Sequence, residues 1–240
     1  MNVNKNSYIF TYATIIVLIV AATLATLYLV LKPYQDANVK TEKQQNILGA
    51  ANLMVGKADA ETTFNGKIKA YLVNNKGDAK VFEGAKASES EAFKVDMKKL
   101  KAQAEAEQQL PLFILVADDG SSKYIIPLYG TGLWGPIWGY ISLDSDMQTI
   151  EGAVFDHKGE TPGLGAEIAE ASFQKHFKGK KLFDAEASFK AFTIAKQGEK
   201  AEEQYKVDGI TGGTLTSKGL QNMINNCIAL YEPYFKNKKQ

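Results

Sequence analysis

The sequence predicts an α+β fold, a mainly antiparallel sheet with flanking helices, preceded by one N-terminal transmembrane helix. Three observations lead to this reading. An uncharged apolar run extends from Tyr8 to Leu31. Short apolar segments separated by turn signals follow one another between Pro111 and Phe155. Near the C-terminus Leu220, Met223, Ile224, Cys227, Ile228 and Tyr231 recur at spacings of three and four, the stripe of an amphipathic helix.

Taken in order, residues 1–7 form a short N-terminal tail. The run over 8–31 is about 24 residues, roughly 36 Å of helix against a hydrocarbon core of roughly 30 Å. Tyr8, Tyr12 and Tyr28 lie toward its ends, where aromatic rings favour the headgroup zone, and Lys5 and Lys32 bracket it. A cleaved signal peptide has a shorter apolar region ending in small residues, so the length and the Leu31-Lys32-Pro33 stop favour a retained anchor. Lys5 precedes the span and Lys32, Lys40 and Lys43 follow it, a charge pattern that faintly favours a cytoplasmic domain.

Residues 32–56 are polar, with Ile47, Leu48, Ala51 and Met54 at helical spacing, and read as a stalk helix. The extramembrane domain then occupies 57–240. Its first part is charged, with Gly66, Gly77 and Gly84 as breaks and a polar helix-like stretch from Lys94 to Gln108. Strands are expected at 112–116, 123–129, 138–143 and 149–155. The turn Asp118-Asp119-Gly120 separates the first two, and Gly152 marks a bulge or close backbone approach in the fourth. A helix is expected from Leu164 to Phe177, stopped by Gly179, then strands at 191–195 and 205–210. The last helix carries the amphipathic stripe, with Pro233 at its end.

The chain of 240 residues has 28 basic and 27 acidic side chains, net charge +1, which gives no electrostatic case for nucleic acid. Hydrophobic residues at 45% and charged residues at 23% support a packed core. The lone cysteine, Cys227, allows no intrachain disulfide and falls on the apolar stripe, as a core residue does. His157 and His176 lack a cysteine at ligand spacing, so no zinc site is expected.

Three glycine-rich segments are the places where chemistry is expected. Gly130-Thr131-Gly132-Leu133-Trp134-Gly135 matches G-x-G-x-x-G, but a dinucleotide site needs a helix next, and Pro136-Ile137-Trp138-Gly139-Tyr140-Ile141 is strand-like. A turn that places Trp134 and Trp138 near a ligand or partner fits better. His157 to Gly165 reads either as an ordinary loop or as a backbone approach to a ligand, with helix-opening N–H groups available to a carbonyl or anion. Asp208 to Ser217 is no P-loop, because Lys218 follows the hydroxyl residues. Read alone, it is a helix start capped by Thr214 or Thr216.

This last segment also resembles the flavinylation motif, in which Asp, two variable residues, Ser or Thr, Gly, Ala, Thr, a variable residue and Ser or Thr follow in order. Asp208, Thr211, Gly212, Thr214 and Thr216 match, and Gly213 stands where alanine is usual. The Gly132-Leu133-Trp134 turn and Glu160-Thr161-Pro162-Gly163-Leu164-Gly165 precede it in the expected order. Along nearly its whole length the chain is similar to the family of C subunits of sodium-translocating NADH:quinone reductases. The G subunits of Rnf complexes share the motif and are the alternative; a cofactor-free, membrane-anchored binding module is a second.

The resemblance implies an electron-carrying component of a larger enzyme, not catalytic alone, with FMN attached through a phosphoester to Thr214. A flavin transferase using FAD and magnesium would install it. It further implies cofactor contacts from Asp208, Thr211, Gly212, Gly213, Thr216, Trp134, Glu160, Thr161, Leu164 and Gly165. Other subunits of the complex are the implied partners, and the implied location is a single-pass anchor in the cell inner membrane with a periplasmic domain, against the faint charge signal. The complex would pass electrons from NADH to ubiquinone and move Na+ outward. No segment of this chain reads as an NADH, sodium or other metal site.

Overall fold

The computed structural model describes residues 5–82, 86–196 and 198–239; the start of the tail expected over 1–7 and the break expected at Gly84 lie outside them. By internal contacts the chain divides into one unit ending at Lys43 and a second beginning at Gln44.

Helix α1 runs from Asn6 to Ala50 and contains Pro33. Its apolar part is exposed and long enough to cross a bilayer. Thr11, Thr23 and Thr26 turn their hydroxyls back onto the carbonyls of Ser7, Ile19 and Ala22, each at 2.8 Å, so these polar atoms are satisfied without water. Lys32 and Asp36 pair at 2.7 Å just past the apolar run.

The second unit begins with the last turns of α1, which bury Gln44, Ile47, Leu48 and Ala50. The helix closes at Ala50, short of Gly56. Leu53 N–H donates to the Leu48 carbonyl and Asn52 N–H to that of Gly49, with Asn52 at φ 60°, a C-terminal closure that needs a left-handed residue. Met54 is consequently exposed.

Helix α2 (Ala60–Lys67) leads directly into strand β1 (Ile68–Val73), which turns into β2 (Ala79–Val81). Neither strand is expected from the sequence. Short helices α3 (Glu91–Lys94) and α4 (Met97–Lys101) replace the longer polar helix expected over 94–108. Asp96 interrupts that longer helix near its start: its backbone is extended, and its carboxylate caps α4 by accepting from Lys98 and Lys99 N–H.

Strands β3 (Leu110–Val116), β4 (Ser122–Thr131), β5 (Pro136–Leu143) and β6 (Ile150–His157) complete a six-stranded sheet in the order β2-β1-β3-β4-β5-β6. Every pairing in it is antiparallel. The β3–β4 ladder stops at Phe113 and Ile125, just before Pro111 and Pro127, which have no N–H to donate. The expected irregularity at Gly152 is present: Ser142 faces Gly152 and Leu143 faces Ile150, so the register shifts there. A Cβ on Gly152 would lie 2.5 Å from the Ala50 carbonyl oxygen.

Both faces of the sheet are covered, which is why its central strands read as continuous apolar runs. One face packs Ile47, Leu48, Phe64, Phe93, Phe113, Leu115 and Ile125. The other packs Leu112, Ile126, Ile141, Phe155, Phe177 and the stripe of the long C-terminal helix.

The single helix expected over 164–177 is instead three short pieces. A 3-10 turn at Gly165–Ala169, α5 (Ala171–Gln174) and another 3-10 turn at Lys175–Phe177 follow one another. Glu170 sits between the first two in extended conformation (φ −81°, ψ 137°) and breaks the helix. Ile168, Phe173 and Phe177 are buried all the same, whereas Leu164 is not.

Strands β7 (Thr193–Ala195) and β8 (Lys206–Asp208) form a separate parallel pair, shorter than the expected segments. Helix α6 (Thr214–Ile228) carries the predicted stripe, with Tyr231 in a following 3-10 turn. Pro233 does not close this helix. It lies in the first turn of a further one, α7 (Glu232–Lys239), where its missing N–H costs no intrahelical bond.

Candidate cofactor-attachment site

The three glycine-rich segments meet at the start of α6. The first is the tip of the β4–β5 hairpin, closed by Gly132 N–H on the Gly135 carbonyl at 2.8 Å. No helix follows, so the G-x-G-x-x-G match is a turn. Helix α6 crosses close beneath it: a Cβ on Gly219 would lie 3.1 Å from the Gly132 Cα.

The second segment leaves β6 at His157. Glu160 turns inward and is 4% exposed. Its Oε1 accepts from Trp134 N–H at 2.8 Å and its Oε2 from the Thr216 hydroxyl at 2.6 Å. Its own N–H donates to His157 Nδ1 at 3.1 Å. One carboxylate therefore ties the hairpin, the loop and the helix together. At two positions beside it a Cβ would collide, since on Gly132 and Gly165 it would sit 2.5 and 2.6 Å from the carboxylate oxygens. The Thr161 carbonyl organises the next turn by accepting from Leu164 and Ala166 N–H, both at 3.1 Å, while its side chain is exposed.

The third segment turns from β8 into α6. Gly212 has φ 76°, a conformation that glycine adopts at no steric cost, and Leu164 packs against it. Gly213 is the N-cap residue, and no side chain caps the helix start. The expected cap from Thr214 or Thr216 is absent for a simple reason. Thr214 is already the first helical residue, and the Thr216 hydroxyl is committed to Glu160. Ser217 Oγ accepts from Ile210 N–H at 3.2 Å and holds the turn from inside.

Thr214 is exposed, and the first-turn N–H groups beside it are of the kind that no intrahelical carbonyl reaches. The same three segments expose Trp134 (69%), Leu215 (62%), Leu133 (49%) and Leu164 (42%), a large apolar surface at one place. Leu133 and Leu215 are not among the site residues expected from the sequence. Leu215 carries a usable signal, being an apolar residue off the α6 stripe.

Glu160, expected beside a flavin ring, is buried beneath the surface. Asp208 and Thr211 are exposed, and their side chains make no hydrogen bond among the described residues. Asp208 lines an open groove of about 460 Å³ with Ser172, His176, Lys180 and Lys206. Trp138 lies within β5, half-buried. Cys227 is a core residue, as expected: burial pushes its thiol up, and Sγ lies 3.6 Å from the Tyr129 carbonyl.

Comparison with known proteins agrees with this geometry. Residues 132–229, which take in the second and third segments and the first from Gly132 onward, match the FMN-binding domain family. The C subunit of the Na(+)-translocating NADH-quinone reductase of Haemophilus ducreyi is 34% identical over 231 residues, covering 91% of this chain and 89% of that protein. The chain belongs to the family of Na(+)-translocating NADH-quinone reductase C subunits. The Pasteurella multocida C subunit is 33% identical over 236 residues, with 91% and 89% covered. The crystal structure of the Parabacteroides distasonis C subunit superposes with a TM-score of 0.73 at 44% identity, over 85% of this chain and 96% of that one. That of Shewanella oneidensis NqrC gives 0.68 at 28% identity, over 84% and 98%. Membership of this family decides against the Rnf alternative, and the α+β fold is that of the family.

Proposed function

We propose that this chain carries FMN in phosphoester linkage to Thr214 and relays electrons within a sodium-translocating NADH:quinone reductase. The observation that carries the reading is an exposed threonine at a helix start without a side-chain cap, where three segments bearing exposed apolar side chains meet. The residues fit the group at both ends. A phosphodiester keeps one negative charge, and the first-turn N–H groups of α6 favour an anion by roughly 0.3–1 kcal/mol through the helix dipole. Trp134, Leu133, Leu164 and Leu215 provide apolar surface for an aromatic ring system.

Attachment is a phosphoryl transfer in which Thr214 Oγ bonds to the flavin-side phosphorus of FAD. The pyrophosphate P–O bond breaks, AMP leaves with the bonding electrons, and the hydroxyl proton passes to the transferase. Asp208 and Thr211, exposed on the approach to the helix, serve recognition by that enzyme and magnesium. Once bound, FMN supplies one- and two-electron redox chemistry, and the chain's part is to hold it and shape its surroundings.

The apolar part of α1 anchors the chain as a single pass in the inner membrane, with the domain on the periplasmic side beside the other subunits. Electrons pass from NADH toward ubiquinone with outward Na+ transport by the whole complex. Mass spectrometry of the peptide covering residues 208–218 from the native host tests the attachment. The expected result is an FMN adduct on Thr214, and its complete loss in Thr214→Ala. An unmodified peptide, or an adduct that survives Thr214→Ala, overturns the reading.

A further inference from the structure

We infer that Glu160 is a positioning residue for flavin attachment, acting through Thr216 to present the Thr214 hydroxyl; this rests on the proposed attachment at Thr214. Glu160 does not reach the surface, so it cannot touch the transferase's substrate directly. It acts on the first turn of α6, where Thr214 and Thr216 lie two residues apart on nearly opposite faces, so that anchoring Thr216 inward turns Thr214 outward.

The helix start lacks a side-chain cap and follows a left-handed glycine, and the local tie is the Ser217 hydroxyl accepting from Ile210 N–H. The bond from the Thr216 hydroxyl to Glu160 Oε2, at 2.6 Å and nearly fully buried, adds a restraint from outside the helix. The other carboxylate oxygen takes Trp134 N–H, which fixes the same residue to the hairpin tip. Among the described residues no cation pairs with Glu160, so these two donors are what hold its carboxylate in place. A wandering helix start would cost attachment rate, because group transfer depends on the nucleophile's orientation.

The test uses the full-length apo chain in detergent with a flavin transferase, FAD and magnesium, following the rate of covalent flavin incorporation. Thr216→Val removes the hydroxyl at nearly constant volume, and Thr216→Ser keeps it. The expected result is that Thr216→Val lowers the kcat of attachment roughly tenfold or more with the KM for the chain unchanged. Thr216→Ser should restore most of it. Glu160→Ala should be slow as well, and the double variant no slower than Glu160→Ala alone, because the bond that Thr216→Val removes is already lost there.

Circular dichroism melting establishes that each variant is folded at the assay temperature. If Glu160→Ala does not fold, the valine and serine pair decides. Folded Thr216→Val modified at the unaltered rate overturns the proposal, as do fully multiplicative losses in the double variant. Thr214→Ala runs alongside. An adduct persisting there sinks the attachment reading itself, whereas an effect confined to the Thr216 and Glu160 variants bears on positioning alone.

Discussion

The two ends of β6 are both tied down by a glutamate, and the ties differ in kind. At its start Glu151 accepts from Lys123 Nζ at 2.8 Å and Asn52 Nδ2 at 3.0 Å, with Lys178 at 3.5 Å. Asn52 is the left-handed residue that closes α1, so this glutamate fastens the end of that helix to the sheet. Beyond the other end Glu160 takes only an amide and a hydroxyl and sits under exposed apolar side chains and an exposed threonine. The first end matches charge with charge and presents nothing further. The second fixes a framework and leaves its chemical groups outside. Charge pairing is concentrated at one end of the strand, and an exposed hydroxyl with exposed apolar side chains at the other.

The largest effect that would break this contrast is expected from Gly152→Ala. Its methyl would lie 2.5 Å from the Ala50 carbonyl, where backbone must move, at a cost of about 1–3 kcal/mol. Denaturant unfolding of the extramembrane domain should show that loss, while flavin attachment in the folded fraction stays intact. A loss of attachment without a loss of stability would dissolve the division between the two ends.

Glu151→Gln comes next, at about 1 kcal/mol for a partly exposed ion pair that keeps some hydrogen bonding. The wild-type pH dependence sharpens it. Burial lifts the Glu151 carboxyl, but the hydrogen bonds from Lys123 and Asn52 and the charges of Lys123 and Lys178 outweigh it and hold the group below its ordinary 4.5. A depressed folded value contributes stability that is present above pH 4.5 and is lost as pH falls below it. Unfolding curves taken through that acid range should converge for wild type and Glu151→Gln; parallel curves would show that the pair contributes nothing.

The smallest expected change is in the stability of Thr214→Ala. An exposed first-turn residue that caps nothing should cost within about 0.5 kcal/mol, even as covalent flavin disappears. A melting temperature several degrees lower would mean that Thr214 has a structural role not visible in its surroundings.

Much of the sheet is legible in the sequence because its strands are apolar and punctuated, as at Asp118-Asp119-Gly120, where Gly120 has φ 83°. Strand β1 is hidden because the break expected at Gly66 falls inside α2, which runs straight into the strand, and Lys69 interrupts a short apolar run. The segment 164–177 has the apolar period of a helix. What the pattern does not carry is the extended backbone at Glu170, and burial of Phe173 and Phe177 is reached through short turns instead. At the site, each glycine-rich segment stands out in the sequence, but their meeting does not. Glu160 and Thr216 are separated by 56 positions, and a charged residue among glycines reads as solvated until the fold closes over it.

Cys227 has a practical consequence. As the chain's sole thiol, sequestered in the core with its ionisation disfavoured by burial, it is a poor target for maleimides. A cysteine introduced on the exposed surface, for example Lys218→Cys in the first turns of α6, would therefore take a fluorophore or spin label selectively in the wild-type background. Distances from the α6 start to the rest of an assembled complex become measurable in a native membrane without first stripping the protein of a competing sulfhydryl.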